Sequence, residues 1–487
     1  MPRSWVSAAA CAVLLNACAP ERTDAPPADL LLTHATIIDV QTGRLTTDQS
    51  IAVRGNLIAA VGTQADAMRA RDVVDVSGAY VMPGLWDMHV HFGGGEALID
   101  ENKDLLPLYV AHGITAVRDA AGDLSPSVLA WREAVNAGTL QAPTIFTSGP
   151  KLEGVDSIWP GDLEVGSEAE VEAGLDALQR MRVDFVKITD NTLPADLFMF
   201  ALREARQRGL RTSAHVPAAL TLAQVSDAGL GTIEHMSYLL RGGSPREAEV
   251  SAAVAAGSMT AADAATALID TFDPAVALAT YRHLASRGTS VVPTLNGSRV
   301  LAYLDRDSHA GDAYLQYLGP GLKATFTGRV ERAAKDDAEA VARRHARYEK
   351  SVTLLPLLRE AGVRIIAGTD AGFLNSFNYP GIGLHEELEV FVSGGLTPLQ
   401  ALQAATLAGP AFLGKSDAYG AVTAGRTADL AILDRNPLED ITATRAIRGV
   451  VLHGRHLSRP VLDGLLETAR ARVSANERAA RTARPSQ

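Results

Sequence analysis

The chain has 487 residues, 47% of them hydrophobic, and its 45 Lys and Arg against 56 Asp and Glu give a net charge of −11. This length is sufficient to bury one large core together with a smaller domain. The acidic balance, with arginines mixed among the acidic residues and no basic cluster, argues against nucleic acid as a partner. The sequence leaves open whether the protein forms a homo-oligomer.

The start of the chain has the pattern of a targeting segment. Arg3 is the only charged residue before Glu21, and the apolar run from Val6 to Leu15 is too short to span a membrane as a mature helix. We therefore predict a signal peptide over residues 1–18, a tether over residues 19–29, and export of the mature chain to the periplasm.

The leader ends in Leu15-Asn16-Ala17-Cys18, which resembles the bacterial lipobox, whose cysteine receives a lipid. The resemblance implies that Cys18 anchors the mature chain to the membrane, which is the only membrane contact expected. A plain secreted enzyme is the alternative. Because both cysteines, Cys11 and Cys18, lie in the leader, we expect no disulfide bond and no thiolate metal ligand in the mature chain.

Short apolar runs separated by turn residues occur near both ends of the chain. The pattern from Leu30 to Val76 is typical of short β-strands, with Arg54-Gly55-Asn56 as one of the turns. A similar set of runs lies between Ala428 and Arg455. Both regions are therefore predicted to be rich in β-structure.

Between these regions, strand-like runs alternate with helical patterns, which is typical of βα units. The eight candidate strands lie near residues 81–89, 114–120, 143–149, 183–188, 210–215, 231–235, 288–295 and 363–370. Helical patterns occur, for instance, at residues 168–182, 195–208 and 397–407. Two long stretches are predicted to be helical insertions over the mouth of the domain: residues 236–273 and 296–346.

Side chains able to bind a metal stand at the ends of these predicted strands. His89 and His91 are two residues apart, so a strand directs both imidazoles to the same side. Four further candidates each close a short apolar run: Lys187, His215, His235 and Asp370. The carboxyl ends of barrel strands deliver side chains to a catalytic face. Zinc binds imidazole nitrogen and carboxylate oxygen readily, so this set suffices for one or two ions.

The run from Pro83 to His91, Pro-Gly-Leu-Trp-Asp-Met-His-Val-His, resembles the opening metal motif of the amidohydrolase superfamily. Together with Gly368-Thr369-Asp370-Ala371-Gly372, it is similar to the exported, prolidase-like branch that is related to imidazolonepropionases. The resemblance implies an α/β fold with a (β/α)8 TIM barrel over residues 81–417. It also implies a small β-sandwich built from both chain ends, residues 30–80 and 418–460. A C-terminal helix and tail would follow over residues 461–487.

The same resemblance implies a binuclear metal site. His89 and His91 would hold one divalent ion and His215 and His235 the second, with zinc as the expected metal. In the binuclear branch, the lysine equivalent to Lys187 is carboxylated by CO2 and bridges both ions. An unmodified ammonium group would be repelled by two cations, so the state of Lys187 distinguishes this arrangement from a mononuclear one.

The predicted function is hydrolysis of an amide bond in a small substrate, such as a dipeptide or an N-acyl amino acid. A hydroxide held between two metals is a nucleophile at neutral pH, because a zinc site lowers the pKa of water from 15.7 to roughly 7. Asp370 would serve as general base and then as general acid. Two alternatives stay open: a mononuclear-metal deaminase or cyclic-amide hydrolase, and a non-catalytic surface lipoprotein.

Substrate contacts have weaker sequence signals. Tyr238 matches a family position that can touch a substrate carboxylate or carbonyl, and Trp159 is a candidate wall of the site. Lys151, Arg241 and Arg299 follow predicted strands and could pair with a substrate carboxylate. The loop that begins at Lys151 lacks the histidine found in many dipeptidases of this branch, which puts dipeptide specificity in doubt. Three other residues are interpreted as structural or as support for the ligands: His112, His385 and Asp119.

Overall fold

The computed structural model describes residues 27–120 and 122–482, which adopt a mixed α/β fold. The strands are β1 (Ala28–Asp39), β2 (Arg44–Arg54), β3 (Leu57–Val61), β4 (Ala70–Asp75), β5 (Tyr80–Pro83), β6 (Leu85–His91), β7 (Ile114–Asp119), β8 (Thr144–Thr147), β9 (Leu152–Gly154), β10 (Leu163–Val165), β11 (Val186–Ile188), β12 (Thr212–Ala214), β13 (Thr232–Glu234), β14 (Ser290–Val292), β15 (Ala371–Gly372), β16 (Leu430–Leu433), β17 (Ile447–Leu452) and β18 (Arg455–Ser458).

The α-helices are α1 (Thr63–Asp66), α2 (Ile99–Lys103), α3 (Leu106–Ala111), α4 (Ser125–Asn136), α5 (Glu168–Arg180), α6 (Ala195–Gln207), α7 (Leu222–Ala228), α8 (Glu247–Ala255), α9 (Ala261–Asp270), α10 (Pro274–Arg287), α11 (Leu295–Ala302), α12 (Pro320–Thr325), α13 (Thr327–Ala333), α14 (Ala338–Val352), α15 (Leu354–Ala361), α16 (Ile382–Ser393), α17 (Pro398–Thr406), α18 (Ala408–Leu413) and α19 (Arg459–Thr482). Short 3-10 segments lie at Glu96–Leu98, Met236–Gly243, Ala313–Tyr317 and Ile441–Arg445.

The two ends of the described chain contribute to one eight-stranded sheet. β1 pairs antiparallel with β2 and parallel with β4 and β5, and β2 pairs with β3. β5 pairs antiparallel with β16, with Val81 opposite Ile432, and β17 and β18 extend the sheet. One face buries an apolar core that includes Leu32, Ile51 and Val451. The β-structure predicted at both chain ends is confirmed.

The central strands form two parallel sheets. β15, β6, β7 and β8 form one sheet, and β10, β9, β11, β12, β13 and β14 form the other. A backbone hydrogen bond from Asp184 N to Thr147 O, 2.9 Å long, connects β8 to the chain that enters β11. The carboxyl ends of these strands therefore meet on one side of the molecule.

The eighth predicted strand, at residues 363–370, is less regular than the sequence indicates. Ile365 makes a single parallel bridge to β14, and Ala367 N donates to the carbonyl of Ala404 in α17 rather than to a strand. The carbonyl of Ala367 accepts from Met88 N of β6 at 3.0 Å. A continuous ladder is absent here because the segment divides its hydrogen bonds among β14, β6 and a helix.

The predicted helices are present, and local capping explains where they start. Ser167 accepts from Glu170 N at the start of α5, and Thr397 forms a capping box with Gln400 at the start of α17. The pattern at residues 195–208 corresponds to α6. Both predicted insertions are helical as well, since α8 and α9 lie in the first, and α11, α12, α13 and the start of α14 in the second.

The signal peptide, most of the tether and the candidate lipidation residue Cys18 lie outside the described residues. Among the helices of the described ranges, none is long and apolar enough to cross a membrane.

Trp86, near the start of β6, packs against β8 and the loop that follows α18. Its ring stacks on Phe146 with centroids 5.1 Å apart and meets Tyr419 edge-on at 5.0 Å, and the side chain is buried. We expect Trp86→Ala to destabilise the protein by about 3–5 kcal/mol because it leaves a cavity. The measurement is the midpoint of denaturant unfolding, with Val73→Ala, at a residue 62% exposed, as control. Equal midpoints for the two variants would show that this contact does not support the fold.

Candidate metal centre

Four histidine side chains meet in pairs at the carboxyl ends of the central strands. His89 and His91 lie at the end of β6, and their Nε2 atoms are 3.1 Å apart. His215 and His235 directly follow β12 and β13, and their Nε2 atoms are 3.0 Å apart. The ring centres of His89 and His235 are 5.0 Å apart, so the two pairs lie side by side.

Asp370 and Lys187 complete the group. Asp370 Oδ1 lies 2.7 Å from His91 Nε2 and 3.4 Å from His89 Nε2. One ligand atom from each of His89, His235 and Asp370 lies within 4.8 Å of the other two, a spacing suited to one metal ion. Lys187, in β11, is buried, and within the described part of the chain its Nζ has no hydrogen-bond partner.

The six residues proposed as ligands from the sequence therefore come together in space. Five of them line a cavity with about 620 Å³ of open space, which we call the main cavity: His91, Lys187, His215, His235 and Asp370. His89 is fully buried behind them.

Two of these residues have a backbone conformation that is unusual outside glycine. The φ angle is 67° at His235 and 64° at Asp370, both in the left-handed region. Neighbouring contacts hold them there, since Asp370 N donates to the His89 carbonyl at 2.6 Å and His235 Nδ1 lies 2.7 Å from Thr294 Oγ1. Strained residues of this kind are concentrated at functional sites.

Burial determines the protonation states of the side chains around the main cavity. It lowers the pKa of His89 to about 3 and that of His235 to about 4, so both imidazoles are neutral at neutral pH, the form that binds metals. It also lowers the pKa of Lys187 to about 8. For Asp370, burial is the largest single effect and raises the pKa, but the opposing effects of His91, His235 and His89 together hold the pKa well below its usual range. Asp370 is therefore a carboxylate.

Glu234 supports His89 from the interior, and the sequence reasoning did not identify this role. Its Oε2 accepts from His89 Nδ1 at 2.6 Å and from Arg118 Nη2 at 2.7 Å, and its Oε1 accepts from the hydroxyls of Ser213 and Thr232 at 2.6 and 2.5 Å. Burial is the largest single effect on Glu234 and raises its pKa, but Arg118, His89 and Lys187 together outweigh burial and hold the pKa well below its usual range, so the group is ionised. The contact at Nδ1 leaves His89 Nε2 facing the other ligands.

A second buried carboxylate, Asp87, fixes the segment that carries Asp370. Its oxygens accept from Thr369 N at 3.0 Å and from Thr369 Oγ1 at 2.7 Å. Burial raises the pKa of Asp87 to about 7. Asp119, expected as a supporting residue, accepts from Thr147 Oγ1 at 3.0 Å and so connects β7 to β8.

Of the predicted substrate contacts, Lys151 and Trp159 line the main cavity. Lys151 Nζ lies 3.3 Å from Asp162 Oδ1 and 5.3 Å from the centre of the Trp159 ring. The lysine is thus already paired with a carboxylate. Strands β9 and β10, which were not predicted, flank this wall and place both residues beside the ligands.

Tyr238 and Arg299 do not line the main cavity. The Tyr238 hydroxyl donates to Asp190 at 3.3 Å, and its ring stacks on His215 with centres 5.5 Å apart. It lines an adjacent cavity instead. Arg299 donates to Asn296 Oδ1 at 2.7 Å and lies 3.5 Å from Glu386.

Three other candidates make contacts within the protein. Arg241 donates to backbone carbonyls, among them that of Pro217 at 2.8 Å. His385 Nε2 lies 3.0 Å from the carbonyl oxygen of His112, and His112 Nε2 lies 2.5 Å from the Tyr314 hydroxyl. These histidines connect helices, as the sequence interpretation expected.

Two further charged residues line the main cavity without having been predicted: Asp123 and Arg329. Asp123 Oδ2 accepts from Gly94 N at 2.6 Å. Arg329 belongs to α13, inside the second helical insertion. No local pattern marked either residue, because neither stands at the end of a predicted strand.

The sequence model of the amidohydrolase family matches residues 80–457. The chain belongs to the amidohydrolase family. The predicted enzyme class, a hydrolase acting on carbon–nitrogen bonds, is thereby confirmed.

Three proteins illustrate what this amidohydrolase is similar to. Ochratoxinase of Aspergillus niger is 24% identical over 452 residues, covering 80% of this chain and 78% of the relative. The structure of bottromycin amidohydrolase matches with a TM-score of 0.71 at 24% identity, over 92% of this chain and 91% of that one. A Xaa-Pro dipeptidase solved with methionine in its active site matches with a TM-score of 0.63 at 21% identity, over 88% and 99%. Structural likeness at these identities establishes the fold and leaves the substrate open.

The contact between Glu234 and His89 can be tested in this amidohydrolase by Glu234→Gln. We expect metal affinity to fall by about 10–100-fold because the neutral amide of glutamine offers one accepting oxygen to four donors, so that it orients His89 less firmly than the carboxylate does. The free energy of unfolding should fall by about 3–5 kcal/mol because Arg118 is left buried without its partner. Metal titration and denaturant unfolding measure the two effects. Glu339→Gln, at a carboxylate 81% exposed, is the matched control, and equal metal affinity in both variants would contradict the orienting role.

Proposed function

We propose that this amidohydrolase uses metal ions to hydrolyse the amide bond of a small substrate, such as a dipeptide or an N-acyl amino acid. The observation that carries this proposal is the convergence of four imidazoles, one lysine and one carboxylate on one cavity. Two similar proteins, the bottromycin amidohydrolase and the Xaa-Pro dipeptidase, are named for amide or peptide hydrolysis, which supports it.

The donor set fits divalent metal ions. In each histidine pair, two Nε2 atoms lie about 3 Å apart, and burial keeps the rings of His89 and His235 neutral. A metal cation beside such a pair can accept a lone pair from each of the two nitrogens. Without a metal, a single proton between the two nitrogens can make only one hydrogen bond. We infer that the four histidines and Asp370 would hold two ions, with zinc expected for these donors. When bound, the ions would lower the pKa of the attacking water and polarise the scissile carbonyl.

Lys187 is suited to carboxylation by CO2. Its Nζ is buried without a hydrogen-bond partner in the described structure, and its pKa of about 8 favours the neutral amine more than usual. The neutral amine would attack the carbon of CO2, so that one N–C bond forms, the electron pair of one C=O π bond moves onto oxygen, and one N–H bond gives up its proton to the solvent. The product is an anionic carbamate, which replaces an unpaired buried amine with two oxygen ligands able to bridge both ions.

Asp370 is placed to move the proton of the reaction. Its carboxyl group is ionised, lies 2.7 Å from His91 Nε2 and faces the main cavity. It would take a proton from the attacking water and give it to the departing nitrogen, acting first as general base and then as general acid. The hydrogen bond that Asp370 N donates to the His89 carbonyl keeps Asp370 in position.

The wider organisation is also a proposal. We propose that the two parallel sheets close into a (β/α)8 TIM barrel over residues 81–417, because backbone hydrogen bonds join them on both sides. Residues 30–80 with 418–460 would form the small β-sandwich, and residues 461–487 the terminal helix and tail. The leader pattern supports export to the periplasm with Cys18 lipidated.

The bridging role of Lys187 predicts a change in metal stoichiometry. We expect elemental analysis of protein lacking residues 1–18 to give two ions per chain with bicarbonate present, and at most one for Lys187→Ala. The matched control is Lys151→Ala, which removes the other lysine of the main cavity. One ion per chain in all three proteins, independent of bicarbonate, would exclude the bridge and favour a mononuclear site.

The role of Asp370 predicts a loss of activity without loss of fold. We expect Asp370→Asn to lower hydrolysis of a dipeptide and N-acyl amino acid panel by about 10²–10⁴-fold, since an amide cannot accept the proton. Four histidines remain to hold metal. Asp307→Asn, at an exposed carboxylate of the second insertion, should retain activity. Unchanged activity in Asp370→Asn would refute the proton-transfer role.

A further inference from the structure

Arg329 lies where the main cavity meets a second cavity. This second cavity, which we call the side cavity, has about 590 Å³ of open space and is lined mainly by hydroxyl and amide side chains. Three other residues line both cavities: His235, Asp370 and Asn375. A substrate whose scissile bond lies at Asp370 and whose leaving part enters the side cavity would therefore pass Arg329.

The three cations that the sequence offered as contacts for a substrate carboxylate already have partners. Lys151 pairs with Asp162, and Arg299 lies against Glu386. Arg241 is bound by backbone carbonyls. For Arg329, by contrast, no carboxylate of the described residues lies within ion-pair distance. Burial lowers its pKa, but a guanidinium remains protonated at neutral pH.

The helix that carries Arg329 is fastened to the wall of the site. Just before α13, Thr325 Oγ1 accepts from Leu374 N at 3.1 Å, and the Phe326 carbonyl accepts from Ser376 Oγ at 3.0 Å. The carboxylate of Glu101 accepts from two backbone amides at the start of α12. Residues 373–375 themselves line the main cavity. The chain that leads into α13 and carries Arg329 is therefore held beside the site by these contacts.

We propose that Arg329 binds a carboxylate of the substrate, so that the enzyme acts on amides whose leaving part is an amino acid with a free carboxyl group. This inference rests on the proposed function and specifies its substrate class. The half-buried guanidinium of Arg329 presents a planar set of donors that matches a carboxylate, and Asp370, the carboxylate that acts on its charge, lies beyond ion-pair distance. The side cavity beside it has hydroxyl and amide groups to receive the rest of the amino acid.

The test compares Arg329→Gln with Arg332→Gln, which removes an exposed charge one turn further along α13. The best substrate of the panel is paired with its carboxamide, and release of the acyl group is measured so that the same bond is counted. We expect the wild-type enzyme and Arg332→Gln to prefer the carboxylate by about 10²-fold in kcat/KM. Arg329→Gln should lose that preference and change little on the carboxamide. Equal losses on both substrates, or equal losses in both variants, would overturn the assignment.

A binding measurement separates this inference from the proposed function. Calorimetry with metal-loaded Asp370→Asn protein compares N-acetyl-L-methionine with N-acetyl-L-methioninamide, with and without Arg329→Gln. Tighter binding of the carboxylate that depends on Arg329 supports the inference even if the wild type hydrolyses nothing on the panel, a result that would refute only the proposed function. Binding without any dependence on Arg329 refutes the inference, and hydrolysis without a carboxylate preference does so while leaving the proposed function in place.

Discussion

The buried contact between Glu234 and His89 is the constraint on which the rest of the site depends. A carboxylate removed from water costs several kcal/mol, and here two donors reach each of its oxygens. Arg118, which supplies the compensating charge, lies over the rings of Phe185 and Phe412 at 4.8 and 5.3 Å. The orientation of His89 is thus coupled to the packing of the central core. Strand alternation then puts His91 on the same side of β6 as His89, where it also contacts Asp370.

Charge balance gives a second constraint. Neutral imidazoles and one carboxylate, Asp370, can receive divalent cations, but an ammonium group at Lys187 would oppose them. Carboxylation of Lys187 removes the opposing charge and adds a negative one, so the carbamate and the metal ions would stabilise each other. The backbone at His235 and Asp370 depends on its neighbours in a similar way, because strained conformations persist only where surrounding contacts fix them.

The candidate ligands were predictable because each has a local signal. A short apolar run that ends in His or Asp predicts a strand whose last side chain faces the site, and the structure brings these residues together. The contact between Arg118 and Glu234 had no such signal, since it joins residues 116 positions apart. Strands β9 and β10 were missed because each has a glutamate at its centre, Glu153 or Glu164, and so lacks the continuous apolar run by which the other short strands were predicted. At residues 363–370 the apolar pattern correctly indicated an extended segment. The segment does not form a regular strand ladder, because part of its backbone hydrogen-bonds to a helix.

The cations illustrate a different limit. Sequence reasoning named Arg241 and Arg299 as candidate carboxylate contacts because they follow predicted strands, yet each is bound by other groups of the protein. The arginine at the main cavity, Arg329, comes from an insertion whose position depends on hydrogen bonds to distant loops. The groups proposed for chemistry therefore come from strands, whereas this candidate for specificity comes from an added helix. Because the helix can change without disturbing Glu234 or the ligand pairs, one metal centre can serve different substrates in related chains.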